Sequence, residues 1–164
     1  MTITFDKYFS EKFERKDKHL ILPIYPLNHN LGQTESKIPF EFIFDTGAMM
    51  TMIPVSLANQ FKYNTLPTLC TTVFGGVVPE ACITVDFKRI PGLKIAKIYI
   101  EEVVVAIPSN PNEEAYHKFG INILGQNVLE YFNYYTDTAN DRIYFQENPS
   151  PKPISQYTTC RGVR

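Results

Sequence analysis

The sequence predicts an all-β fold with one or two short helices. Three features carry that prediction. Apolar and polar residues alternate in several short runs, β-branched and aromatic residues crowd those runs, and Gly, Pro and Asn separate them. The 164 residues suit one domain, long enough to bury roughly two-thirds of its unfolded surface.

Each element follows in order. Residues 11–18 (EKFERKDK) mix both charges and read as a solvated strand or helix face. Residues 19–25 (HLILPIY) are a short apolar run in which Pro23 suggests an edge position. Residues 28–33 carry turn chemistry and residues 38–44 alternate, so the two runs make a hairpin feeding Asp45. Residues 55–60 suit one or two helical turns. Residues 70–78 (CTTVFGGVV) place Gly75 and Gly76 between β-branched runs, which predicts a tight hairpin with positive φ at its tip. Further strands are expected at 83–87, 95–100 and 103–107, then a proline-bearing loop at 108–114. Residues 121–125 (INILG) are a second apolar run that stops at a glycine. Residues 126–132 (QNVLEYF) put Val128, Leu129 and Phe132 on one helical face. Residues 133–145 alternate around Thr138-Ala139-Asn140 and read as a closing hairpin, and the tail with Pro149, Pro151 and Pro153 as an irregular extension.

Composition narrows the function classes. With 16 basic and 17 acidic residues, nothing points to nucleic acid or to an anionic membrane surface. No secretory signal is visible, and no apolar stretch approaches the ~18 residues of a membrane helix. Cys70 and Cys82 lie symmetrically about Gly76, where a hairpin would bring them to bridging distance. Without a secretory signal, the default expectation is instead a soluble, reduced, cytoplasmic protein. No Cys/His grouping has metal-ligand spacing, so neither metal nor cofactor is expected.

Residues 42–54 read FIFDTGAMMTMIP. A carboxylate arriving straight after Phe42-Ile43-Phe44 lies close to a core, where an unpaired charge is costly to bury. Asp45 therefore needs a partner. The ordered set of apolar strand, Asp45-Thr46-Gly47-Ala48, glycine hairpin, Ile123-Leu124-Gly125 and short helix resembles the retropepsin-like aspartic proteases. The resemblance spans about residues 20–145. A lone Asp-Thr-Gly arises often by chance; the ordered set is specific. It implies a single-lobe, closed β-barrel acting as a two-fold homodimer. The protease domain would run over residues 20–146, between an N-terminal extension (1–19) and a C-terminal tail (147–164).

The resemblance also implies roles. Aspartic-protease chemistry needs two carboxylates that share one proton, one acting as base on a water and the other assisting the substrate carbonyl. Thr46 would lock the turn through its hydroxyl, Gly47 would let backbone approach the carboxylate, and Ala48 would keep the floor small. No second Asp-Ser/Thr-Gly exists in the chain, and Asp137-Thr138-Ala139 reads as a surface turn. The partner is then Asp45 of a second copy. Phe74, Gly75 and Gly76 would tip a mobile flap over the cleft. Met49, Met50, Ile53, Phe74 and Val77 would line it for extended peptides with bulky apolar side chains. Ile123, Leu124 and Gly125 would support the turn structurally, and Thr51 and Ile53 would be core. His117 has no nearby ligand or nucleophile set and reads as a solvated loop histidine.

Two departures stand out. Met49 and Met50 occupy positions that are commonly acidic in the retroviral enzymes, and Gln126 stands where an arginine commonly pairs with them. Acid and base are missing together, so no buried charge is orphaned. A rival reading is a non-catalytic peptide-binding or dimerisation module with the same fold, and a third is a monomeric structural barrel.

Overall fold

Strand-forming sequence organises the chain into two sheets. The computed structural model describes residues 2–4, 9–28, 37–75, 82–148 and 150. Its strands are β1 (Thr2–Thr4), β2 (Phe9–Lys12), β3 (Glu14–Lys16), β4 (His19–Pro26), β5 (Phe40–Phe44), β6 (Thr68–Phe74), β7 (Ile83–Ile95), β8 (Ile98–Pro108), β9 (Asn122–Leu124), β10 (Phe132–Asp137) and β11 (Arg142–Glu147). The helices are α1 (Val55–Gln60), α2 (Glu114–Lys118) and α3 (Gln126–Leu129), with a 3-10 turn at Tyr63–Thr65.

The larger sheet has the order β1-β8-β7-β4-β5-β9, with β3 also on β4 and β6 also on β7. The expected closed barrel does not form. Among the described residues, nothing joins the end strands β1 and β9 into a ring. Among the described residues, the gap between β8 and β9 is crossed by the short segment Thr51–Ile53, where Met52 makes isolated bridges to Ala106 and to Ile123. A segment this short cannot supply a strand's worth of ladder hydrogen bonds, so the sheet stays open. The smaller sheet has the order β10-β11-β2.

Two buried clusters follow from the alternation. The larger gathers Leu22, Ile24, Phe42, Ile53, Leu124, Val128, Phe145 and their neighbours between the sheets and short helices. The smaller contains Met50, Ile83, Val85, Phe87 and Ala106 beneath the β6–β7 arm. Strand alternation delivers these residues to the inner faces.

Several expectations need correcting. Pro23 does not mark an edge strand, because β4 has partners on both sides. On one side β3 stops at Ile21 and β7 begins at Ile24, so the proline falls in the gap between two ladders. Residues 95–100 are not one strand but straddle the β7–β8 turn, where Ala96 takes φ 52°. The helix after Gly125 ends at Leu129, since Phe132 already pairs with Glu147 at the start of β10. α2 lies just past the expected loop and carries an exposed Glu114–Lys118 ion pair one turn apart. The mixed charge run supplies β3 and the end of β2, with Phe13 buried between them.

The β6–β7 register shifts the hairpin away from the glycine pair. Cys70 pairs with Phe87 and Phe74 with Ile83, so Gly75 lies opposite Cys82 in the arm rather than at the tip. Gly92 is the one glycine with positive φ among the described residues, so Gly75 does not adopt the expected conformation. Gly76 and Val77 lie outside the described residues. Cys82 is a free thiol, so the Cys70–Cys82 bridge is not made. The closing hairpin stands as β10 and β11. No helix among the described residues is long and apolar enough to cross a membrane.

Candidate active site

Asp45 leaves the end of β5, and β9 runs parallel beside it in the register Ile43↔Ile123 and Phe44↔Leu124. The Asp45 amide donates to the Leu124 carbonyl at 3.1 Å, so the second apolar run fixes where the carboxylate begins. The chain then turns through Thr46 and Gly47. Asp45 Oδ1 accepts the Gly47 amide at 2.9 Å and the Ala48 amide at 3.2 Å. A Cβ on Gly47 would lie 3.3 Å from that same oxygen, tighter than ordinary contact. Glycine keeps the amide and the carboxylate close.

The turn is held from behind by α3. The Gln126 amide donates to the Ala48 carbonyl at 2.8 Å and the Asn127 amide to the Met49 carbonyl at 3.1 Å. These helix-start amides have no partner within their own helix, and the loop supplies one. The Gln126 side chain adds a third tie, Nε2 to the Thr46 carbonyl at 2.7 Å. Where an arginine would hold acids, a neutral amide holds the backbone.

Asn127 was not singled out from the sequence, yet it joins three segments. Its Oδ1 accepts the Thr51 amide at 2.7 Å and the Thr51 hydroxyl at 2.8 Å, and its Nδ2 donates to the Val104 carbonyl at 2.7 Å. Thr51 is fully buried, and its Oγ1 in turn accepts the Gly125 amide at 3.1 Å. A buried hydroxyl so satisfied is not a liability. The available signal was a pair of amides set directly between Gly125 and the apolar Val128-Leu129. Gly125 itself is required by space, because a Cβ there would lie 2.5 Å from the Met50 carbonyl oxygen and 2.8 Å from the Thr51 nitrogen.

The remaining residues separate by exposure. Asp45 is half-buried, and Thr46 and Gly47 are exposed. The Thr46 hydroxyl makes no hydrogen bond among the described residues; Gln126 and the Asp45 carboxylate hold the turn instead. Met49 is 43% exposed beside the turn, whereas Met50 is 3% exposed and packs in the smaller cluster. Ile53 is fully buried in the larger one, away from any open lining. Phe74 meets Phe87 edge to face at 5.6 Å. Ile123 is half-buried and Leu124 fully buried.

Glu113 ties the β6–β7 arm, near the tip end of its ladder, to the loop before α2. Its carboxylate accepts the Thr84 hydroxyl, the Thr84 amide at 2.8 Å and the Asn110 side-chain amide at 3.1 Å. These bonds, the Thr84 hydroxyl foremost, hold its carboxyl below the ordinary glutamate value.

Among the described residues, no second carboxylate pairs with Asp45. Asp137 sits at the β10–β11 turn, where it accepts the Ala139 and Asn140 amides. The Asn140 side-chain bond chiefly lowers its carboxyl. His117 is exposed as expected but lies on α2 rather than in a loop, with Nε2 2.8 Å from the Pro111 carbonyl. No group of three or more His, Cys, Asp or Glu side chains suited to a metal converges among the described residues.

A sequence model of the family described as aspartyl protease matches residues 30–128. No curated protein matches the chain. Among solved structures, the crystal structure of a retropepsin-like aspartic protease from Rickettsia conorii matches with a TM-score of 0.58. The two share 15% identity, over 89% of this chain and 92% of that one, a likeness of fold.

Proposed function

Because the chain belongs to the aspartyl protease family, we propose that it is a homodimeric aspartic endopeptidase whose dyad takes Asp45 from each of two copies. One observation carries the reading: a carboxylate held by two amides in an exposed turn, braced by β9 and α3, with no second carboxylate paired to it among the described residues. A half-built site of this kind is completed by a two-fold partner.

The residues divide the chemistry simply. The Gly47 and Ala48 amides fix Oδ1, and Oδ2, with no hydrogen bond among the described residues, is left for the reaction. The ionised carboxylate of the pair takes a proton from water as the water oxygen bonds to the peptide carbon. The protonated mate gives its proton to the carbonyl oxygen. Collapse of the tetrahedral gem-diol breaks the C–N bond: the amine leaves with the dyad's proton, and one hydroxyl gives its proton back to the dyad, which is restored to its starting singly protonated state. Phe74 and Gly75 belong to a flap that shields the cleft from water. Exposed Met49 favours extended peptides with bulky apolar side chains at its subsite.

The test is hydrolysis of a peptide library by wild type and Asp45→Asn across pH. Wild type should cleave with a bell-shaped profile on the acid side, since one carboxylate must be ionised and its mate protonated. Asp45→Asn should be inert. A rate still climbing at alkaline pH would contradict a carboxylate dyad. Peptides bound tightly without turnover, with no affinity for a pepstatin-type inhibitor, would instead favour the non-catalytic binding module.

A further inference from the structure

We propose that the cavity between α1, the root of the β6–β7 arm and α2 is a binding site for a free amino acid, with Lys88 taking its carboxylate and Asp86 its ammonium. The site stands apart from Asp45 and does not depend on the peptidase reading. The cavity has a volume of about 180 Å³. Besides Asp86 and Lys88 of β7, its walls include Val55 of α1, Asn64 of the 3-10 turn, Ile107 of β8 and Tyr116 of α2.

A buried ammonium calls for a counter-charge, and Lys88 lacks one. It is 7% exposed, and its Nζ donates to the Asn64 carbonyl at 2.9 Å and the Leu66 carbonyl at 2.8 Å. An ammonium has three donors, so one N–H has no acceptor among the described residues. No carboxylate lies within ion-pair distance of it among those residues. Two neutral carbonyls accept hydrogen bonds but leave the charge unbalanced. That favours an anionic group at the cavity wall.

Asp86 decides which anion fits. It stands two residues before Lys88 on the same face of β7, about 6.6 Å along the strand, and both line the cavity. The Thr71 hydroxyl donates to its Oδ1 at 2.6 Å and the Thr68 hydroxyl to its Oδ2 at 3.4 Å. These β6 hydroxyls hold the carboxylate in place and leave it lone pairs to spare. Inorganic phosphate would be repelled by it. A molecule with a carboxylate and an ammonium on one carbon spans the separation and satisfies both charges. The volume is below the ~300 Å³ of usual ligand pockets, so it suits one amino acid rather than a peptide strand. Val55 and Ile107 give a small branched side chain an apolar wall. Val85 and Phe87 belong to the opposite face of β7, in the cluster with Met50 and Phe74. The strand itself therefore separates this cavity from the Asp45 side.

The test is a nuclear magnetic resonance titration of the full chain with three probes. These are L-valine, valinamide, which lacks the carboxylate, and 3-methylbutanoate, which lacks the amine. L-Valine should shift the amides of residues 86–88 and 116 together along one saturating curve. Each truncated probe should bind about tenfold more weakly, the loss of one charge-assisted contact. Asp86→Asn should treat L-valine and 3-methylbutanoate alike, and Lys88→Met should treat L-valine and valinamide alike. The three-probe comparison on wild type decides the matter whether or not either variant folds. No saturable binding of L-valine, equal binding of the three probes, or shifts centred on the Asp45 turn would overturn the proposal. So would a folded Asp86→Asn protein that still prefers L-valine to 3-methylbutanoate.

Discussion

Gly125 and Asn127 do more for the site than their neighbours suggest. Gly125 occupies the closest approach between β9 and the chain following the Asp45 turn, where a methyl group would collide with Met50 and Thr51 backbone. Backbone cannot step aside as a flexible side chain can. Gly125→Ala should therefore lower stability by about 3 kcal/mol, the upper range for overpacking, and urea denaturation followed by circular dichroism checks it. Asn127→Ala would strand the Thr51 amide and hydroxyl and the Val104 carbonyl in a largely buried place. The expected loss is again about 3 kcal/mol, and Asn127→Asp, which keeps the acceptor, should lose less. Equal losses for the two would mean that the acceptor is not the important half. Of these two residues only the glycine was legible in the sequence. Asp45, Thr46, Gly47 and Gly125 announce themselves because each sits at the end of an apolar run. Asn127 has no such contrast, since a polar side chain at a helix start is ordinary, and only three-dimensional pairing reveals its partners.

At the scale of elements, the strands were readable wherever alternation was clean, and boundaries failed where turn chemistry was absent. Ile95-Ala96-Lys97-Ile98 reverses the chain without glycine, proline or asparagine, so β7 and β8 could not be separated from sequence. The glycine pair misled in the opposite direction, because Gly75 lies in the arm opposite Cys82. The arm is steadied near the tip end of its ladder by Glu113. Since that carboxyl is held below its ordinary value of 4.5, its contribution is fully present above that value and fades as pH falls through the lowered one. Hydrogen exchange at the Thr84 amide should therefore be slower in wild type than in Glu113→Ala at neutral pH, with the difference vanishing once the pH has fallen through that lowered value. A difference that persists there would assign the protection to packing rather than to the ionised carboxylate. The Thr84–Glu113 bond itself had no sequence signal, being a contact between β7 and a loop 29 residues further on.

For the molecule as a whole, the mainly β class and the family were both legible, because Asp45-Thr46-Gly47-Ala48 and Ile123-Leu124-Gly125 appear in order. Closure of the sheet was not. It depends on how Met52 bridges Ala106 and Ile123, and no pattern of alternation encodes a single bridge. The central claim is that one active site is built from two chains, and mixing Asp45→Asn protein with wild type tests it most directly. An Asn–Asp pair cannot supply both the ionised base and the shared acidic proton, so mixed dimers should be nearly dead. With equal amounts and full exchange, about a quarter of dimers are wild type on both sides, and activity per wild-type chain should fall to about half. Excess mutant should lower it further, and dilution alone should reduce specific activity as dimers dissociate. Wild-type activity left untouched by excess, fully exchanged Asp45→Asn protein would contradict the account, because each chain would then work alone or Asp45 would not be catalytic.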